Sequence, residues 1–449
     1  MTGLVDVVRD TFPARIEGQV HRVLGLTAES RGLFAPVGGY CEISCRSGKT
    51  LAAEVVGFRQ EHAILAPYGD IRGVSAGDRV VYSGKTFSVR VGPELIGQVV
   101  DGEGCLLGTG ERLACGLDVS LHQTPRNPLE RPRIERPLPT GVRAIDGLLT
   151  VGCGQRLGIF SGSGVGKSML LGMIARNTAA SVVVIGLIGE RSREVREFID
   201  RNLGAEGLRR TVVVAATSEE SPLRRIQAAH AATAIAEYFR DTGADVLLLM
   251  DSLTRVATAQ RELGLSGGET PATKGYPPSV FSLLPKLLER AGPTEEGSIT
   301  GIYTVLVEAD DRQDPVADCA RSVLDGHLWL SRDLAERGVF PAIDPLGSLS
   351  RVQNHVVSAK HLQAADNARV HIARYRQVED LIRLGAYVPG AEPAVDASVQ
   401  LYPAIESFLS QEKNERCDFE ETRRWLSKLV DASSGADMSR QRVAGGKPS

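Results

Sequence analysis

Residues 161–168 read Ser-Gly-Ser-Gly-Val-Gly-Lys-Ser, a spacing that can hold phosphate groups. Glycines let successive backbone N–H groups turn inward around phosphate oxygens, and a helix starting at the loop's end adds partial positive charge. Lys167 can reach the terminal phosphates, and the Ser168 hydroxyl can ligate Mg²⁺. An apolar run, residues 157–160, leads in, and a helical run beginning at Met169 leads out. Strand, glycine loop and helix are the context such a loop requires. The usual first glycine is Ser161 here, a side chain small enough to be accommodated.

Two carboxylates complete a possible site. Asp251 follows the apolar run 247–250 and can hold Mg²⁺ through a water beside Ser168. Its plain alternative is a helix N-cap, since Ser-Leu-Thr-Arg follows. Glu190 follows Gly189 at the end of another apolar run, where a carboxylate can orient and deprotonate an attacking water. Its plain alternative is pairing with Arg191 or Arg193. Arg191 and Arg255 could each set positive charge near a γ-phosphate.

Those residues need a scaffold that brings them together. From Gly141 to about residue 355, predicted strands and helices alternate, which implies an α/β core with a mostly parallel sheet. Strands are expected at 181–188, 211–216 and 245–251. The phosphate loop, Glu190 and Asp251 all fall at carboxyl ends of strands, where ligands of such sheets bind. Before the core, residues 18–92 carry short β-rich runs (19–24, 52–58, 79–82) broken by glycine turns, which suggests a small antiparallel barrel. His21 and His62 stand as lone histidines in it. Prolines at 125, 128, 132, 137 and 139 imply extended chain laid over a surface, with Arg126, Arg131, Arg133 and Arg136 solvated or salt-bridged. After about residue 360 the pattern is helical, over 364–384, 406–409 and 419–429. The expected divisions are an N-terminal amphipathic helix at 1–17, the barrel at 18–92, a phosphate-loop domain at 93–360, a helical domain at 361–436 and a disordered tail at 437–449. The stripe Leu4, Val5, Val8, Phe12 in the first helix suits a partner, a membrane surface or the chain's own barrel.

Composition narrows the function classes. The chain has 449 residues and net charge −3, so no basic field argues for nucleic acid. The seven cysteines show neither metal-ligand spacing nor an even count for a disulfide framework, and read as reduced cytosolic thiols. No apolar run is long enough to span a membrane, so any membrane association is expected to be peripheral.

Several longer stretches carry a family resemblance. Residues 189–198 (Gly-Glu-Arg-Ser-Arg-Glu-Val-Arg-Glu-Phe), 250–255 (Met-Asp-Ser-Leu-Thr-Arg), 259–262, 271–281 (Pro-Ala-Thr-Lys-Gly-Tyr-Pro-Pro-Ser-Val-Phe) and 298–311 resemble the flagellar and type III secretion export ATPases. These are relatives of the catalytic subunits of rotary ATP synthases. The resemblance runs from about residue 20 to 430. It implies hydrolysis of ATP to ADP and phosphate with Mg²⁺, by a homohexameric ring whose sites lie between subunits. It implies Glu190 as catalytic carboxylate and Lys167 and Ser168 as phosphate and Mg²⁺ ligands. Arg191 and Arg255 would be γ-phosphate contacts. The nucleotide would rest on Gly162, Ser163, Gly164, Val165, Gly166, Lys167, Ser168 and Met169, with Phe340 stacked on adenine. Arg351, in Ser-Leu-Ser-Arg, would be an arginine finger entering the neighbouring subunit's site. Implied partners are a stator-like regulatory subunit, export-gate proteins, export chaperones and their substrates, at the cytoplasmic face of the inner membrane. The linker 291–297 is expected as a loop. Residues 170–177 and the phosphate loop look more like flagellar members, with an injectisome ATPase as the alternative.

Other functions make different demands. A rotary synthase subunit should carry an acidic helix-turn-helix block, which residues 360–430 lack. A non-catalytic scaffold subunit should lack Glu190. An RNA translocase needs a basic, aromatic barrel face, which residues 20–91 do not show.

Overall fold

A computed structural model describes residues 16–307, 311 and 313–429. The expected N-terminal stripe and the C-terminal tail lie outside the described residues. β1 (Ile16–Leu24), β2 (Thr27–Arg31), β3 (Gly39–Ser44), β4 (Thr50–Arg59), β5 (His62–Pro67) and β6 (Arg79–Thr86) close into a barrel in the order β1-β2-β5-β4-β3-β6. Alternate residues point inward, so Cys41, Ile43, Ala53, Val55, Leu65 and Val80 fill its interior. His21 and His62 are not isolated: their rings stack with centroids 4.7 Å apart, because β1 and β5 both flank β2. Among the described residues, no group of three or more His, Cys, Asp or Glu side chains could hold a metal ion.

A connector leads from barrel to core. β7 (Ser88–Val91) pairs with β9 (Leu117–Ser120), and the short β8 (Val99–Val100) joins the edge of the core sheet. The proline-rich segment is pinned as expected by its arginines: Arg126 to Asp241 at 3.3 Å, Arg136 to Asp245 at 2.9 Å, and Arg131 onto the Ala291 carbonyl at 3.0 Å.

The core sheet contains β10 (Arg156–Ser161), β11 (Val182–Glu190), β12 (Thr211–Thr217), β13 (Asp245–Asp251), β14 (Gly292–Pro293), β15 (Ser298–Leu306), β16 (Gly326–Leu330) and β17 (Ile343–Ser350). Its order is β17-β16-β10-β15-β13-β11-β12-β8. Strands β8, β10–β13, β15 and β16 run parallel, and β17 returns antiparallel along β16. The central strands are runs of Val, Ile and Leu because both faces are buried. The linker at 291–297 is a tight hairpin rather than an open loop: Gly292 and Pro293 pair back onto Ile299 and Ser298.

One long helix, Pro222–Asp241, escaped the sequence reading. It lies under the sheet with Ala228, Ala231, Ala232, Ile235 and Ala236 buried. Because nearly every face is buried, it shows no amphipathic stripe. Beyond the sheet, helices Ala359–Arg383 and Pro393–Leu409 pack through stacked Tyr375 and Tyr402, and residues 419–429 are helical. Arg143 ties this helical region to the core. It is buried, donates to the Phe408 carbonyl at 3.0 Å, pairs with Glu415 and lies over the Trp425 ring.

Candidate functional site

The sheet order decides what meets at the carboxyl edge. β10, β15, β13 and β11 are neighbours, so Ser161, Leu306, Asp251 and Glu190 end side by side. There a cleft of about 410 Å³ is lined by Gly162, Ser163, Gly164, Gly166, Lys167 and Ser168 from the loop. Met169, Glu190, Arg191, Glu194, Ser252 and Arg255 complete its walls. Gly166 has φ +91° and immediately precedes helix Lys167–Asn177, so the helix's first N–H groups face the cleft. The Val165 side chain is buried in the core beneath the loop, which leaves only its backbone for a ligand.

Lys167 and the two acids are in contact. The Lys167 ammonium lies 2.6 Å from Asp251 Oδ1 and 3.8 Å from Glu190 Oε1. Burial opposes its charge, but Asp251 and then Glu190 outweigh burial and raise its pKa. Thr304 on β15 donates its hydroxyl to the same Asp251 oxygen at 2.7 Å. Asp251 is therefore buried beneath the cleft and bonded to Lys167 and Thr304, and Ser252 is the N-cap of the following helix, accepting from the Arg255 N–H. Glu190 faces Lys167 rather than Arg191, and Arg191 turns to Glu194 at 3.4 Å. Burial first, and the Asp251 charge second, push the Glu190 carboxyl up to about 7. A carboxylate with that affinity for a proton is suited to general-base work near neutral pH.

Gly189 makes the approach of Arg255 possible. Its φ is +70°, and a Cβ there would meet the Arg255 Cβ at 2.7 Å. Phe340 stands at the other side of the loop, half-buried, with its ring edge 3.3 Å from where a Gly166 Cβ would sit. Arg351 is elsewhere. Its N–H donates to the Asp325 carbonyl at 3.0 Å, and the Asp325 N–H donates to the Arg156 carbonyl at 2.8 Å. It therefore stands beside the first residue of β10, while the loop follows the last. Five strand residues span about 17 Å, so the exposed Arg351 cannot reach its own loop. Thr304 and Glu194 were not singled out in the sequence: Thr304 is one threonine in a buried strand, and Glu194 is the third residue of the short helix Ser192–Glu197, where it pairs with the N-cap Arg191.

The residues fit a nucleoside triphosphate with its divalent ion. The Ser168 hydroxyl and the Asp251 carboxylate supply the oxygen donors a hard cation takes, and the open, positive-φ backbone at Gly164 leaves room for phosphate oxygens.

Comparison with known proteins places this cleft in a family. The nucleotide-binding domain of the ATP synthase alpha/beta family matches residues 141–350, and that family's beta-barrel domain matches 20–84. The T3SS EscN ATPase C-terminal domain matches 357–428. The flagellum-specific ATP synthase of Bacillus subtilis is 50% identical over 430 residues, covering 95% of this chain and 98% of its own. The chain belongs to the family of flagellum-specific ATP synthases and type 3 secretion system ATPases. The type 3 secretion system ATPase of Xanthomonas euvesicatoria is 49% identical over 415 residues, covering 92% of this chain and 94% of that protein. The assembled ATPase EscN of the enteropathogenic E. coli type III secretion system superposes with TM-score 0.87 at 45% identity, over 92% of this chain and all of that one. EscN has also been solved in complex with its central stalk EscO, TM-score 0.84. The match at 357–428 falls where a rotary synthase's acidic block was sought, and it is to the secretion branch.

Proposed function

We propose that this chain is the ATPase of a type III export apparatus, hydrolysing ATP to ADP and phosphate to energise export of flagellar proteins. The observation that carries the proposal is the meeting of Glu190, Lys167 and Asp251 in a phosphate-loop cleft, in a member of this family. Backbone N–H groups of residues 162–167 hold the phosphates. Lys167 leaves Asp251 for the β- and γ-phosphate oxygens. Ser168 and Asp251 would hold Mg²⁺, which would supply charge neutralisation at the phosphates. Glu190 orients a water and takes its proton as the water oxygen bonds to the γ-phosphorus and the bond to the ADP oxygen breaks. Arg255 and Arg191 meet the charge on the transferring group. Phe340 stacks on the base beside Gly166.

The chain works as a ring, a homohexamer in which Arg351 of one copy completes the site of the next; that EscN was solved as an assembled ATPase supports an assembled state. Like EscN with EscO, it engages a stalk-type subunit. A stator-like subunit, export-gate proteins, chaperones and export substrates complete its surroundings, and it acts at the cytoplasmic face of the inner membrane. Among the described residues, no helix is long and apolar enough to cross a membrane. The loop and its helix favour the flagellar branch, and the flagellar relative from Bacillus subtilis is as similar as any quoted above. The test is complementation: the gene should restore swimming to a strain lacking its flagellar export ATPase, and not secretion to one lacking the injectisome ATPase. Restored secretion without swimming overturns the flagellar assignment.

A further inference from the structure

A second cavity, about 780 Å³, lies at the seam between barrel and core, away from the phosphate loop. Val37, Val56 and Phe58 of the barrel form one wall, and Ile226 and Leu263 of the core form the other. Val37 and Phe58 are more than half exposed at its lip, at 62% and 51%. At its polar end stand Glu54 from β4 and Gln227 from helix Pro222–Asp241, only 8% and 1% exposed. The Gln227 amide nitrogen donates to Glu54 Oε2, and Gln227 Oε1 has no partner. Among the described residues, the other Glu54 oxygen has only the His122 ring, 3.7 Å away.

No Lys or Arg side chain among the described residues forms an ion pair with Glu54. Burial and then Arg290 lower the His122 pKa, and burial, then His122 and Arg290, lower that of His230 well below the usual imidazole value. Arg290 lines the cavity, but its guanidinium is already used. It makes two bonds to Glu237 (2.9 and 2.6 Å), one to the Leu121 carbonyl (2.8 Å) and one contact with His230 Nδ1 (3.2 Å). The polar end thus offers two acceptors that want donors, and an unmet buried acceptor costs free energy. Lys286 and Glu269 also line the cavity, and Glu269 accepts from the Ser279 N–H at 3.2 Å.

We propose that this seam binds a cationic N–H donor on an apolar stem, the chemistry of an arginine side chain flanked by apolar residues. The guanidinium meets Glu54 and Gln227, the stem runs along Val56 and Ile226, and flanking side chains cover Val37 and Phe58. The same chemistry could come from a free alkyl-guanidine or from a polypeptide, and the exposed apolar lip favours the polypeptide. The site shares no lining residue with the phosphate-loop cleft. Burial raises the Glu54 carboxyl to about 7, opposed by the Gln227 hydrogen bond. A bound cation favours its ionised form, so affinity should rise with pH through that value.

The test uses the full chain and three probes: acetyl-Leu-Arg-Leu-amide, its citrulline counterpart and agmatine, titrated by calorimetry at pH 6 and pH 8. Citrulline keeps donors but lacks the charge. The arginine peptide should bind about tenfold or more tightly than the citrulline peptide, and more tightly at pH 8. Glu54→Gln should remove that preference while ATP hydrolysis stays unchanged. Phe58→Ser, on the exposed lip, should weaken the peptide but not agmatine. Agmatine binding as tightly as the peptide would keep the chemistry and assign the site to a small guanidine. No saturable binding, equal binding of the arginine and citrulline peptides, or a preference that survives in Glu54→Gln overturns the proposal.

Discussion

Phe340 and Arg351 flank one antiparallel strand, Ile343–Ser350, and stand at its opposite ends. Phe340 abuts Gly166 of its own phosphate loop, whereas Arg351 stands beside Arg156 at the opposite edge of the sheet. The strand is bulged between Asp344 and Leu349, and its ends pair with Leu330 and Gly326, about 13 Å apart, so one strand can serve two nucleotide sites only if a second copy brings its loop to Arg351. Arg351→Ala should fold and bind nucleotide yet hydrolyse poorly, because charge developing in the transition state goes unmet. Mixed with Glu190→Gln, it should regain part of the activity, since some interfaces then join an intact Glu190 to an intact Arg351. Two inactive variants that co-assemble and stay inactive at every mixing ratio would count against an arginine acting across the interface.

Glu190 carries the second prediction. Glu190→Gln keeps the shape of the site and removes the proton acceptor. Mg-ATP binding should persist while turnover falls by about two orders of magnitude or more. The wild-type pH profile should show the same group. The carboxyl is raised to about 7 by burial and the Asp251 charge. It is ionised above that value and protonated below it. A base works ionised, so kcat/KM should fall as pH drops through about 7, approaching tenfold per pH unit below it. A profile flat from pH 6 to pH 8 would remove Glu190 from the role of base.

Legibility followed how local each signal was. Strand Asp245–Asp251 could be read residue for residue, because an apolar run bounded by two aspartates is a signal contained in seven positions. The phosphate loop, Glu190 and Asp251 were legible together, because strand ends in a parallel sheet share one edge. Helix Pro222–Asp241 was not, since burial on nearly every face erases the stripe that marks a helix. Thr304 was equally hidden: its bond to Asp251 exists only because β13 and β15 are neighbours. Phe340 and Arg351 were named only through family resemblance, and their spacing along β17 acquires meaning only once the strand order is known.

Gly189 gives a third prediction. Its φ of +70° suits glycine, and an added Cβ would collide with the Arg255 Cβ. Gly189→Ala should displace Arg255 from the cleft and shift Glu190, lowering kcat more than nucleotide affinity. Measured separately, an unchanged kcat with weakened binding would show that Arg255 serves ground-state binding instead.

The last prediction concerns stability around a buried ion pair. Arg290 and Glu237 are 1% and 5% exposed at their side chains and exchange two hydrogen bonds, 53 residues apart in sequence. They join helix Pro222–Asp241 to the end of helix Pro278–Leu288, directly beneath the barrel seam. Removing one charge leaves the other buried without compensation, which typically costs about 3–5 kcal/mol. Glu237→Gln should therefore lower the urea midpoint markedly. The double variant Glu237→Leu with Arg290→Met removes both charges and should recover part of that loss. Recovery stays incomplete because Arg290 also serves the Leu121 carbonyl and His230, which are then left without a donor. A Glu237→Gln midpoint equal to wild type would mean that the Leu121 carbonyl and His230 alone suffice to hold the Arg290 charge.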